Sequence, residues 1–168
     1  MLLNRLTPDQ RDIIEKIQTE IPVRIGYLSK LLGISSIKVT QLPIGISGQI
    51  SKEEQGYFIR INKNESRERQ RFTIAHEISH YLLHKDLIDL SPNGISDSVL
   101  YRSGASRQVE FEANKLASYL ILPRDRLRQI VDLEYSGETF EVMLEKLAGR
   151  FEVSKAAMEI GLKSIYEF

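Results

Sequence analysis

The chain contains no cysteine in its 168 residues. That excludes disulfides and thiolate ligands, so any bound metal must be held by imidazole and carboxylate groups. Net charge is also missing, because Lys plus Arg and Asp plus Glu both number 23. A balance of this kind provides no overall attraction toward nucleic acid or an anionic membrane, local basic patches aside. Nor does any stretch approach the roughly 18 consecutive apolar residues of a membrane span, and "MLLNRLTPDQRD" lacks an apolar signal core with a cleavage site. The expectation is a soluble cytoplasmic protein with no membrane partner, and the absence of cysteine agrees with a reducing compartment. There is no internal repeat and no low-complexity tail.

What remains is ordinary globular material. Hydrophobic residues make up 42% of the chain and charged residues 27%, enough for one core under a solvated surface. Thr7-Pro8-Asp9-Gln10 reads as a helix start, with Thr7 as N-cap and Pro8 at the first helical position. A second short helix is expected over 25–32, stopping near Gly33. Between Ser35 and Asn64, β-branched residues interrupted by Pro43, Gly45, Gly48 and Gly56 predict two or three short strands with tight turns. The last, "GYFIRIN", places Tyr57, Ile59 and Ile61 on one face.

Residues 66–84 form a long helix in this reading. Ile74, Ile78, Tyr81 and Leu82 fall on one broad side and Phe72, His76, His80 and Leu83 on the other, so the helix needs cover on both sides. A long polar connection, 85–108, follows, with a possible strand at "SVLYR". Helices are then expected at "VEFEANKLASYLI", "RDRLRQIVDL", and a closing pair that turns at Gly149 and restarts with Ser154 as N-cap. The predicted fold is α+β: a small mixed sheet packed against the central helix, with a helical C-terminal part. Within a single domain, 1–168, we expect N-terminal helices over 1–35, a strand and metal-site core over 36–123 and a C-terminal helical subdomain over 124–168.

The chemistry concentrates in "RFTIAHEISHYLLH", residues 71–84. On a helix, His80 lies about 40° around from His76, and Glu77 about 60° beyond His80, so all three overlook one cavity. Two imidazoles one turn apart suit Zn²⁺, and a glutamate on the adjoining row can serve as general base without displacing either. A buried His–Glu network without metal would satisfy the same pattern. The apolar flanks Phe72, Ala75, Ile78, Leu82 and Leu83 weigh against it, since buried ionisable groups need ligation or hydrogen bonds.

Catalytic zinc usually takes three protein ligands. The next helix offers Glu110 and Glu112, about 200° apart, so only one can face the metal. Glu110 shares its face with Asn114, Ala117 and Ile121, and small Ala117 permits the close helix approach that a carboxylate ligand requires. Glu112 sits with Leu116 and Tyr119, which would hold the helices apart. Glu110 is therefore the expected third ligand, and Asn114 a hydrogen-bond partner of a ligand. His84, two turns from His76, reads as a helix-end residue bonded to terminal carbonyls and not as a ligand.

"GYFIRINKNESRERQRFTIAHEISHYLLH" followed by "SRQVEFEANKLASYLILP" resembles the ImmA/IrrE family of zinc-dependent metallopeptidase domains, over most of residues 56–123. The resemblance maps that family's HExxH onto His76, Glu77 and His80, and its downstream Glu-x-x-Ala-Asn onto Glu110, Ala113 and Asn114. Two departures are visible: Ser79 stands where relatives often have glycine, and Gly161 where the closing helix commonly has arginine.

The resemblance implies a peptidase that cuts a helix-turn-helix transcriptional repressor in a phage or mobile-element switch. Tyr101 and Arg102, in the long connection, are the first candidates to stabilise developing negative charge, and "GYFIRIN" is a candidate edge for pairing with an extended substrate. The alternative is a latent or inactive regulatory module of antitoxin or repressor-partner type. "IPVRIGYLSKLLGIS" and "LAGRFEVSKAAMEIGLKSI" each resemble part of a helix-turn-helix, yet neither carries a dense basic face, and direct nucleic-acid binding is not expected.

Overall fold

The structure, a computed structural model, describes residues 2–96 and 106–166. A 3₁₀ turn over Leu2–Arg5 leads into helix α1, Pro8–Ile17, and then α2, Ile25–Leu31. The start of α1 is a reciprocal cap: Thr7 Oγ1 accepts from the Gln10 amide at 3.2 Å, and Gln10 Oε1 accepts from the Thr7 amide at 2.9 Å. Two of the amides that a helix start leaves unpaired are thereby satisfied.

Three strands follow: β1, Ser36–Thr40; β2, Gly48–Glu53; and β3, Gly56–Asn62. They form one mixed sheet in the order β1-β3-β2, with β1 parallel and β2 antiparallel to β3. The "GYFIRIN" strand is therefore central and has no free edge, which rules it out as the candidate edge for a substrate and leaves it the structural strand that its sequence equally allowed. Its alternating pattern specified the buried face, Tyr57, Ile59 and Ile61, but alternation carries no information on how many neighbours a strand has. The outer edges belong to β1 and β2, and β2 is bridged at Ile50 by Ile95 through bonds of 2.7 and 3.1 Å.

Helix α3, Arg67–Leu83, starts at Ser66, whose Oγ accepts from the Arg69 amide. It lies between the sheet and helix α5, Ser106–Ile121. Ala75 and Ile78 of α3 and Ile50, Ile59 and Ile61 of the sheet are fully buried and belong to one apolar cluster. This position explains why α3 lacks a solvated stripe: both of its sides are covered. A short α4, Lys85–Asp89, continues from its end. The "SVLYR" segment expected as a strand lies outside the described residues, as do Tyr101 and Arg102.

Three helices complete the chain: α6, Arg124–Glu134; α7, Phe140–Phe151; and α8, Lys155–Tyr166. The turn between α7 and α8 is not at Gly149. Helix α7 runs through that glycine to the fully buried Phe151, and Glu152 takes the left-handed cap at φ 52°. Arg67 (2.9 Å) and Arg71 (3.3 Å) of α3 hold the Glu152 carboxylate in place. Ser154 caps α8 as expected, accepting from the Ala157 amide.

Gly161 has a packing reason. A Cβ there would overlap Leu122 at the end of α5, so the missing side chain lets α8 approach closely. Residues from Leu6 to Ile165 join one cluster of buried apolar side chains. Truncating Phe151, the largest of its fully buried side chains, would cost about 3–5 kcal/mol. No described helix is long and apolar enough to cross a membrane.

Candidate metal centre

Along α3 the buried run from Ala75 to His80 includes three ionisable side chains, His76, Glu77 and His80, with exposures of 7%, 2% and 1%. The His76 and His80 Nε2 atoms are 3.0 Å apart. From α5, Glu110 reaches the pair: its Oε2 lies 3.2 Å from His76 Nε2 and its Oε1 3.3 Å from His80 Nε2. Glu110 Oε1 is buried with no well-aligned hydrogen bond. Three donors thus converge from two helices.

These separations suit a small divalent cation. Two ligands bound at about 2.0–2.1 Å with tetrahedral angles stand about 3.3 Å apart, close to the observed spacings. The protonation states agree. Burial is the main influence that pushes His80 below its ordinary value, leaving its ring neutral near pH 7 with a lone pair to offer. Burial alone would raise the Glu110 carboxyl, but hydrogen bonding and charge from His76 and His80 outweigh it, and the group is held at about 2. His76 Nδ1–H donates to Asn114 Oδ1 at 3.0 Å, which leaves the Nε2 lone pair facing the other donors. Together, His76, His80 and Glu110 can hold a metal ion.

Ala117 and Ala113 on α5 are fully buried, and these small side chains allow the approach that brings Glu110 to the histidines. Glu112 points elsewhere. Its Oε2 meets His84 Nε2 at 3.1 Å and accepts from Arg5 Nη1 at 2.6 Å, while Oε1 accepts from Gln108 Nε2 at 2.7 Å. Hydrogen bonds from Gln108, His84 and Arg5 hold its carboxyl at about 2.

His84 is a helix-end residue, sitting at the junction of α3 and α4. Its ring, however, is buried between His80 Nδ1 (3.1 Å) and Glu112, where terminal carbonyls were the expected partners. The four-residue spacing from His80 was a visible sign of that contact. Arg5 left no comparable sign, being 107 residues from Glu112.

Glu77 lines a cavity of about 190 Å³ with His76, Glu110, Asn114, Ser47, Gly48, Arg69, Phe72 and Thr73. Gly48, read in the sequence as an interruption between strands, instead opens β2, and Thr73 was not singled out; their role is spatial, because β2 passes so close to α3 that a Cβ at 48 would overlap Thr73. Ser79 is fully buried and donates to the Ala75 carbonyl at 2.7 Å. It turns its hydroxyl back onto the helix. A larger groove of about 850 Å³ beside the start of α3 and the α7–α8 turn shares Arg69 and Phe72 with the smaller cavity.

Comparison with known proteins gives a family and a fold. The family model described as Peptidase_M78, IrrE N-terminal-like domain, matches residues 35–163. Among solved structures, a Mycobacterium tuberculosis transcriptional regulator is similar with a TM-score of 0.58 and 17% identity, over 98% of this chain and 49% of that one. At that identity the likeness is one of fold, and the chain spans about half the length of that protein. No curated protein matches the chain.

Proposed function

Because the chain belongs to the IrrE N-terminal-like domain family, we propose that it is a zinc-dependent endopeptidase that cuts a helix-turn-helix transcriptional repressor. The observation that carries this reading is the meeting of His76, His80 and Glu110 donor atoms within 4.8 Å of one another, with Glu77 lining the same cavity. A convergent ligand set with a further buried carboxylate beside open space is the arrangement expected of a functional site.

When bound, zinc would supply Lewis acidity toward water and the peptide carbonyl. The chain's own residues do the rest. His76, His80 and Glu110 hold the ion, and Asn114 keeps His76 turned toward it. Glu77 takes a proton from the attacking water and returns it to the departing amine. Tyr101 and Arg102 are proposed to steady the negative charge on the carbonyl oxygen.

The 190 Å³ cavity accommodates a scissile bond but not a folded chain, so the substrate must present an extended segment. The neighbouring groove that shares Arg69 and Phe72 gives that segment somewhere to continue. The likeness of fold to a protein named a transcriptional regulator supports a second reading, in which the module binds a repressor without cutting it.

The decisive experiment mixes zinc-loaded protein with the helix-turn-helix repressor proposed as its substrate, sought first among the products of neighbouring genes, and measures intact masses. One discrete cleavage is expected, lost in Glu77→Gln while zinc content is unchanged. An uncut repressor, or equal cutting by Glu77→Gln, would overturn the peptidase reading. A regulatory effect in cells that survives Glu77→Gln would favour binding alone.

A further inference from the structure

We propose that Arg5, Glu112 and His84 form a positioning chain for His80, which makes the N-terminal segment a working part of the metal centre. The inference rests on the metal-site reading above and extends it to residues that hold no metal themselves.

The argument is one of proton placement. For His80 to offer its Nε2 lone pair to a metal, its Nδ1 must carry the hydrogen, and that hydrogen needs an acceptor. The atom facing it, at 3.1 Å, is His84 Nδ1, which accepts only if the hydrogen of the His84 ring is on Nε2. His84 Nε2 in turn faces Glu112 Oε2 at 3.1 Å, and an ionised carboxylate can only accept. Every hydrogen along the path then has one place, and all the bonds run outward from the metal. Asn114 performs the same service for His76 in a single step.

Glu112 would be free to swing without its own anchors. Arg5 Nη1 donates to its Oε2 at 2.6 Å, and Gln108 Nε2 donates to its Oε1 at 2.7 Å. Arg5 also donates through Nη2 to the Leu83 carbonyl at 2.8 Å. One guanidinium thus ties the last turn of α3 to the carboxylate on α5. The 3₁₀ turn that carries Arg5 is seated by Leu2 and Leu3, packed against the core, and by buried Leu6. Arg5 lies outside the family-matched residues 35–163, so this brace is contributed by sequence beyond the shared domain.

The test compares the wild-type 168-residue chain with His84→Phe, His84→Gln and Arg5→Met. Zinc affinity is measured by competition with a chelating dye, and imidazole tautomers are read by ¹⁵N NMR. His84→Phe removes the acceptor and should weaken zinc about 10- to 100-fold, the range found for outer partners of ligating histidines. His84→Gln keeps an acceptor oxygen and should recover most of the loss, which a merely space-filling role would not produce. Arg5→Met, a change at a half-exposed position that should fold normally, is expected to weaken zinc by less than that range, about 3- to 10-fold, because Arg5 acts on His80 only through Glu112 and His84. The NMR spectrum should show hydrogen on Nδ1 of His80 and on Nε2 of His84. Wild-type protein that takes up no zinc overturns the metal reading and this inference together. Wild type that binds zinc no more tightly than His84→Phe, or hydrogen found on Nδ1 of His84, overturns the inference alone.

Discussion

His76 on α3 and Asn114 on α5 are joined by a 3.0 Å hydrogen bond from the imidazole Nδ1–H to the amide oxygen. One bond thus sets the direction of a candidate ligand and links the two helices that build the site. Asn114→Leu should weaken metal binding by about 10- to 100-fold while leaving secondary structure intact. Metal content after dialysis against a graded chelator series, alongside circular dichroism, checks this. Unchanged metal retention would show that His76 needs no orienting partner.

The two glutamates of α5 should separate cleanly. Glu110→Gln removes a charge 3.2 Å from His76 Nε2 and 3.3 Å from His80 Nε2. It should cost more metal affinity than the roughly 10- to 100-fold expected of outer partners. Glu112→Gln should stay within that range. Isothermal titration with zinc on both variants provides the comparison, and equal losses would mean that the carboxylates are interchangeable.

Gly48 is the tightest point between sheet and site. An added Cβ would overlap Thr73 and come within 3.0 Å of Glu77 Oε1 and 3.3 Å of the Arg60 carbonyl. Gly48→Ala should therefore destabilise the fold by about 1–3 kcal/mol through overpacking. It should also displace Glu77 while sparing His80 and Glu110, so peptidase activity should fall further than zinc content. Urea unfolding, metal analysis and a cleavage assay on one preparation would reveal whether the strain reaches Glu77, the proposed base.

A pH effect should arise away from the metal. The hydroxyl of Tyr57 donates to the Asp89 carboxylate, and this bond, aided by Lys52 and Lys85, holds Asp89 below its ordinary value of 3.8. Burial and the neighbouring carboxylate push the Tyr57 hydroxyl up. Because the folded carboxyl binds its proton less readily than the unfolded one, its stabilising contribution is complete above the ordinary carboxylate range and disappears as pH falls through the folded value. Tyr57→Phe should lower stability at pH 7, and the gap from wild type should narrow on acidification to pH 3. Denaturant midpoints for the two proteins at both pH values test the sign, and a gap that widens in acid would contradict it.

Much of the site was visible in the sequence because its logic is local. Histidines four residues apart with an adjoining glutamate in an apolar run can only be placed together on a helix, and the size of Ala117 distinguished Glu110 from Glu112. Tertiary pairing was harder to read. The alternation in "GYFIRIN" identified Tyr57, Ile59 and Ile61 as buried, yet nothing local says that β3 has a partner on each side. Gly149 looked like a turn by residue type. Burial of Phe151 and the grip of Arg67 and Arg71 on Glu152 overrode that preference. The role of Arg5 depends on a contact across 107 residues, beyond the range of any periodicity.

Helix α3 is moored at both ends by distant stretches of chain. Glu152 grips its opening turns through Arg67 and Arg71, and Arg5 grips the carbonyl of its last residue, Leu83. A fragment trimmed to the boundaries of the homologous region, 35–163, would keep the first mooring and lose the second. Such a shortened protein would contain His76, His80 and Glu110 yet leave the histidine-bearing rod loose at the end nearest His80, so metal-binding assays on excised domains would underrate the 168-residue chain.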